Sequence, residues 1–116
     1  GRREVLADAF EGKRLNSPND VVVKSDGTIW FTDPPFGIGG HWEGEKAEPE
    51  LPHALYRIDP TAGQLQQVLT DVAGPNGLAF SPDERVLYLV ESRAQPSRKV
   101  WAYDVDAAGT LLANAW

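Results

Sequence analysis

The chain writes one pattern twice. Ser17-Pro18-Asn19-Asp20 leads into Val21-Val22-Val23, a Ser25-Asp26-Gly27 turn and then Thr28-Ile29-Trp30-Phe31-Thr32-Asp33. Gly74-Pro75-Asn76-Gly77 leads into Leu78-Ala79-Phe80, a Ser81-Pro82-Asp83-Glu84 turn and then Val86-Leu87-Tyr88-Leu89-Val90-Glu91. A second pair of segments follows in each copy. Leu55 to Asp59, a turn at Pro60 to Gly63 and Leu65 to Leu69 match Val100 to Asp104, a turn at Asp106 to Gly109 and Thr110 to Ala113. Each unit therefore holds four short segments rich in β-branched and aromatic residues, separated by Asp-Gly, Pro-Asp and Ala-Gly turns. Tyr56 and Ile58 alternate with Arg57 and Asp59, the period of a half-buried strand. Residues 64–73 could be forced onto a helix, but Val68-Leu69 suits a strand as well.

The units repeat at 57 residues from Asn19 to Asn76 and at 45 from Leu55 to Val100. Most of the difference is an insert over residues 34–53. Four-stranded units repeating every ~40–50 residues are the signature of a β-propeller. The expected fold is all-β: roughly two and a half four-stranded blades of one propeller domain over 1–116. The first complete blade is expected over about 17–72 and the next over about 73–116. A generic β-sandwich with similar turns is the alternative. A ring needs at least about four blades. The remaining blades are expected from the same protein or from associated chains, because Gly1-Arg2-Arg3 and Ala115-Trp116 both read as cuts. Alone, such a piece is expected to expose blade faces and to associate through them.

Composition narrows the partners. The formal net charge is −6, which argues against nucleic-acid or anionic-membrane surfaces, both of which need basic patches. With no Cys, neither a disulfide nor a thiol nucleophile is available. No apolar run approaches the roughly 20 residues of a membrane-spanning helix. A soluble cytoplasmic or periplasmic protein is expected.

Asn is common in turns for local reasons, and one lone Pro-Asn would need no more. Two at equivalent places, just before the innermost strand of adjacent blades, would bring two neutral carbonyl oxygens toward one axis. Oxygen-only ligands suit a hard cation such as calcium. Two amides are a poor site by themselves, so carboxylates are expected from elsewhere.

The stretch KRLNSPNDVVVKSDGTIWFTDPPFGI (13–38), with AEPEL (47–51) and GPNGLAFSPDERVLYLVES (74–92), resembles the SMP-30/gluconolactonase/luciferin-regenerating-like family, bacterial gluconolactonases in particular. The resemblance runs along nearly the whole chain. It implies a six-bladed propeller holding a divalent metal at its axis, usually calcium, with zinc, manganese or iron as alternatives. It also implies hydrolysis of a sugar lactone. By this resemblance Asn76 is a metal ligand, Asn19 lies beside the metal as ligand or substrate contact, and Asp20 faces the substrate. The family's Glu ligand would precede Gly1, and its Asp, which is also the expected general base, would follow Trp116. Ser17 stands where some relatives carry a sugar-binding Arg, and Arg14 does not align with it. Two other functions remain open: a non-catalytic propeller that binds a partner or sugar, and a related esterase or phosphotriesterase at the same metal site.

Other residues invite chemistry and are read more plainly. Phe36 and Trp42, in the insert, could wall the site or pack under their own loop. His41 and His53 have no partner motif and are read as solvent-facing or loop-packing. Glu43, Glu45, Glu48 and Glu50 read as solvated loop charge, and Asp26-Gly27 and Pro82-Asp83 as turns. Ser17 and Ser81 lack a Gly-x-Ser-x-Gly context. Trp30, Trp101, Tyr88 and Tyr103 are expected in core and inter-blade packing, and Arg93, Arg98 and Lys99 are too few for a basic patch.

Overall fold

A computed structural model describes residues 2–38 and 48–106, and the backbone of 111–115. The protein is all-β, and its sheets are antiparallel. A small hairpin comes first: β1 (Ala9–Phe10) and β2 (Lys13–Arg14). Glu11 and Gly12 turn it with φ of 50° and 78°, the left-handed pair that suits a two-residue loop between right-twisted strands. This hairpin was not anticipated, although Glu-Gly after Phe10 is a weak signal for it.

Two four-stranded sheets follow. The first is ordered β3 (Val21–Val23), β4 (Ile29–Asp33), β5 (Ala54–Asp59) and β6 (Gln64–Leu69). The second is ordered β7 (Pro75–Phe80), β8 (Val86–Glu91), β9 (Lys99–Val105) and β10 (Leu111–Ala115). Each is a meander in which consecutive strands pair. Residues 64–69 form a strand, as the Val68-Leu69 pair suggested. Within the insert, Phe36–Ile38 makes one 3-10 turn; His41, Trp42, Glu43 and Glu45 lie outside the described residues.

Alternation decides what each face meets. One side of the first sheet presents Val22, Trp30, Leu55 and Val68 to Leu78, Phe80, Leu87, Leu89, Tyr103 and Val105 of the second. Trp30 is fully buried and meets Phe80 edge-on at 5.3 Å. On the other side of the first sheet, Phe31 and Tyr56 stack at 5.4 Å, and Phe10 of the hairpin meets Tyr56 edge-on at 5.5 Å. Burial of each such large side chain contributes about 1.5–3 kcal/mol.

Tyr88 lies on a face that no described part of this chain covers. In the repeat it occupies the place of Trp30, yet it is 42% exposed. In the second sheet Leu87 and Leu89 turn toward the first sheet, so Tyr88, between them, points to the opposite face. Its neighbours on that face include Ala102, directly opposite on β9, and Val100, two residues along the same strand, which is 64% exposed. The first sheet's far side likewise keeps an apolar groove lined by Val5, Leu6, Leu15, Val21, Phe31 and Ile58, among others.

Polar tethers also join the two sheets. Ser25 donates from its backbone to Glu84 at 2.8 Å, and its hydroxyl also bonds that carboxylate, linking the turn of one sheet to the turn of the next. At the opposite end Asp20 and His53 reach across, as described below.

Candidate functional site

The two Pro-Asn segments meet at one end of the sheets. Asn19 lies just before β3, as expected. Asn76 lies inside β7, which begins at Pro75, and this corrects the expectation that both asparagines precede their strand. The physical reason is a break in the ladder. Pro75 pairs with Glu91 and Leu78 with Leu89, and the register shifts between them, so Asn76 and Gly77 bulge from the regular pairing. A bulge of this kind re-aims a side chain.

Asp20 is the bridge between the segments. Its Oδ2 accepts the Leu78 backbone N–H at 3.1 Å, and its Oδ1 accepts its own neighbour Val21 N–H at 3.0 Å. A Cβ at Gly77 would lie 3.9 Å from the same Oδ2. The residue after Asn19 is thus tied to the second residue after Asn76. Backbone bonds fix the approach: Asn19 N–H donates to Thr32 O at 2.9 Å, Thr32 N–H to Asp20 O at 3.0 Å, and Asp20 N–H to Thr32 Oγ1 at 3.1 Å.

Neither asparagine amide hydrogen-bonds to another described residue. Asn19 is exposed and Asn76 half-buried, and among the described residues nothing occupies their oxygens. They fit part of an oxygen-only cation site. Asp20 is less available, since both its oxygens already accept backbone N–H groups. Among the described residues no three His, Cys, Asp or Glu side chains gather to hold an ion, so two amides supply only part of a donor set.

Sequence reasoning missed two carboxylates at this end. Asp33, fully buried, accepts Asn16 N–H and Ser17 N–H, both at 2.8 Å, one on each oxygen. Glu91, 8% exposed, accepts Ala73 N–H at 2.7 Å and Trp101 Nε1–H at 3.0 Å. Burial pushes the Asp33 carboxyl up, and its two backbone donors pull it partly back. The Ala73 N–H holds Glu91 below its ordinary value. Asn16 joins the same knot: its side-chain N–H groups reach Asp33 O and Leu51 O at 3.2 Å. The only hint in the sequence was that Asp33 and Glu91 fall at the same place in the repeat.

His53 has a definite partner. Gly74 N–H donates to its Nδ1 at 3.0 Å, which leaves Nε2 carrying the proton in the neutral ring. Arg93 stands over the Phe36 ring at 4.9 Å. Its Cγ would be 2.8 Å from a Cβ at Gly74, where φ is +61°; both facts favour glycine there. Phe36 is thus the cushion for an arginine. Ser17 bonds to Pro34 O through its hydroxyl and accepts Gly37 N–H at 3.0 Å, so it ties the segment to the insert. Asp26 and Asp83 are turn residues as read: they accept Thr28 N–H at 2.9 Å and Arg85 N–H at 3.0 Å. Glu50 pairs loosely with Arg14 at 3.5 Å, and Glu48 is exposed.

Burial, and then the charge of Arg93, hold His53 below 6.5. The folded state therefore binds this proton less readily than the unfolded chain. The stability His53 contributes is fully present above pH ~6.5 and is lost as pH falls through that value toward the depressed folded pKa. Unfolding measured at pH about 7.5 and about 5.5 is expected to show a smaller pH effect in His53→Gln than in the unsubstituted protein. Equal pH effects would show that the Gly74 bond is not coupled to His53 ionisation.

The family model for the SMP-30/gluconolactonase/LRE-like region matches residues 1–115. A gluconolactonase of Zymomonas mobilis subsp. mobilis is 40% identical over 97% of this chain and 32% of its own length. The solved structure of a gluconolactonase from Xanthomonas campestris superposes with a TM-score of 0.86 and is 44% identical, over 97% of this chain and 36% of that one. A diisopropyl-fluorophosphatase of Loligo vulgaris is 30% identical over 88% of this chain and 32% of its length. The chain spans about a third of the length of these relatives. On its sequence and its fold alike, it belongs to the SMP-30/gluconolactonase/LRE-like family.

Proposed function

We propose that this chain supplies two blades and part of the central site of a metal-dependent sugar lactonase, in a ring of six blades. The carrying observation is the Asp20–Leu78 bond, which locks two equivalent Pro-Asn segments together, with neither asparagine amide engaged by another described residue. The Zymomonas and Xanthomonas relatives, both named gluconolactonases, support the substrate class. Apolar side chains on the outer faces of both sheets support further blades on either side, from the same protein or associated chains.

Asn76 and Asn19 would hold a divalent cation, calcium by the chemistry of neutral oxygen donors. Held there, such an ion would supply Lewis-acid chemistry toward a lactone carbonyl. Asp20 holds the two segments in register, and its position beside Asn19 leaves it able to orient substrate hydroxyls. The carboxylate ligands and the general base belong to other blades. The isolated chain is expected to be inactive.

The deciding assay is base-titrated hydrolysis of glucono-1,5-lactone, corrected for the spontaneous reaction, by the full-length protein with and without chelator. Chelator-sensitive turnover that calcium restores supports the reading. No turnover, with the metal still bound, removes the substrate assignment. The Loligo relative favours one second reading, an organophosphate ester as substrate at the same metal, and the same protein assayed with a fluorophosphate ester tests it.

A further inference from the structure

We propose that Asp33 and Glu91 are equivalent positioning residues, one per sheet, that fix the two Pro-Asn segments through their backbones without touching metal or substrate. The kinetic part of this inference rests on the proposed lactonase function; the structural part does not.

Each acid is the last residue of the second strand of its sheet. Each accepts the backbone N–H of the residue three before the motif asparagine: Asn16 N–H on Asp33 at 2.8 Å and Ala73 N–H on Glu91 at 2.7 Å. Between the held amide and the asparagine lie only Ser17-Pro18 or Gly74-Pro75. Proline fixes its own φ near −65° and narrows the residue before it, so holding the amide leaves few soft torsions by which the asparagine could wander. Bonds at or just beyond the asparagine close the other side, Asn19 N–H to Thr32 O and Leu78 N–H to Asp20.

The chemistry calls for an acid. Asp33 is followed by Pro34 and Pro35, which have no N–H to offer, and the passing segment presents the Asn16 and Ser17 N–H groups side by side. A carboxylate meets both with charge-assisted bonds. An amide offers one oxygen and turns an NH2 toward the second donor. A wholly buried carboxylate is costly unless so engaged, and Asp33 is nowhere else employed in the proposed chemistry.

The repeat provides its own controls. Asp26 and Asp83 also accept backbone N–H groups at equivalent places, but in the turns that join the first two strands of each sheet. The experiment compares Asp33→Asn, Glu91→Gln, Asp26→Asn and Asp83→Asn in the full-length protein. Hydrogen exchange is followed by mass spectrometry in peptides spanning 16–20 and 73–77, and kcat and KM are measured on glucono-1,5-lactone in excess calcium.

Asp33→Asn is expected to speed exchange in 16–20, and Glu91→Gln in 73–77, each by about 10-fold or more. Both are expected to lower kcat by about 10–100-fold, the usual effect of losing a group that orients a ligand, with KM within about 3-fold. The turn variants should lower stability and change neither readout. Glu91→Gln, at the less buried site, carries the test if Asp33→Asn does not fold. Folded Glu91→Gln with unaltered exchange in 73–77, or with looser exchange and unaltered kcat, overturns the proposal. A full-length protein without turnover defeats the lactonase reading alone; exchange then decides, loosened segments supporting the clamp and unaltered ones overturning it.

Discussion

Asn76→Ala in the full-length protein is expected to lower hydrolysis of glucono-1,5-lactone by at least about 100-fold, a loss at the upper end of that seen when groups orienting a metal are removed. The calcium concentration for half-maximal rate is expected to rise with it. Stability should change little, by about 0.5 kcal/mol, as for other substitutions that break no contact. The reason for separating these effects lies in the local structure. The Asn76 side chain is half-buried in a bulge of β7 and hydrogen-bonds to no described residue. An asparagine kept to cap its own turn would show bonds that alanine breaks. Calcium titration by calorimetry and turnover, set beside thermal unfolding, checks the forecast. If both metal affinity and turnover survive in Asn76→Ala, Asn76 is no ligand.

How much could be read from the sequence differed between fold and site. The strands could be read because alternation and turn chemistry are local. Asp26 begins its turn by bonding Thr28, two residues on, and Asp83 does the same for Arg85. Each such bond lies within one stretch of sequence. The clamps could not be read in this way. Asp33 bonds residues 16 and 17 positions back, and His53 bonds Gly74 21 positions ahead. Nothing within a few residues of either marks its partner. Glu91 closes an apolar strand, and its partner Ala73 contributes only a backbone N–H, which no residue type advertises.

Tyr88 shows a limit of a different kind. Its strand and its place in the repeat were read correctly, but burial is a property of the neighbour as well as of the residue. Trp30 has the second sheet against it; the equivalent face of the second sheet, with Tyr88 and Val100, has no described part of this chain over it. The same logic applies to the groove lined by Val21, Phe31 and Ile58 on the first sheet's far side. Repeats in sequence give the faces, and packing order gives which of them is covered.

That dependence makes Trp30 the residue whose loss should weaken the fold most. Trp30→Ala is expected to destabilise the full-length protein by about 3–5 kcal/mol. The indole is fully buried between the sheets, edge-on to Phe80, and its Nε1–H donates to Thr28 Oγ1 at 3.0 Å. Arg57 lies 5.9 Å from the ring, and its Nε is already buried without a hydrogen-bond partner among the described residues. Alanine would leave a large void and strip that guanidinium of its aromatic cover, with no small shift of either sheet able to fill the gap while Asp20 and Ser25 hold the sheets in register. Tyr88→Ala, at the equivalent position, should cost far less if no further blade covers it, and several kcal/mol if one does. Urea unfolding of both variants in the full-length protein therefore reads the packing directly. A Tyr88→Ala penalty of several kcal/mol places another blade against the second sheet. A penalty below about 1 kcal/mol would leave that face open and contradict the closed ring.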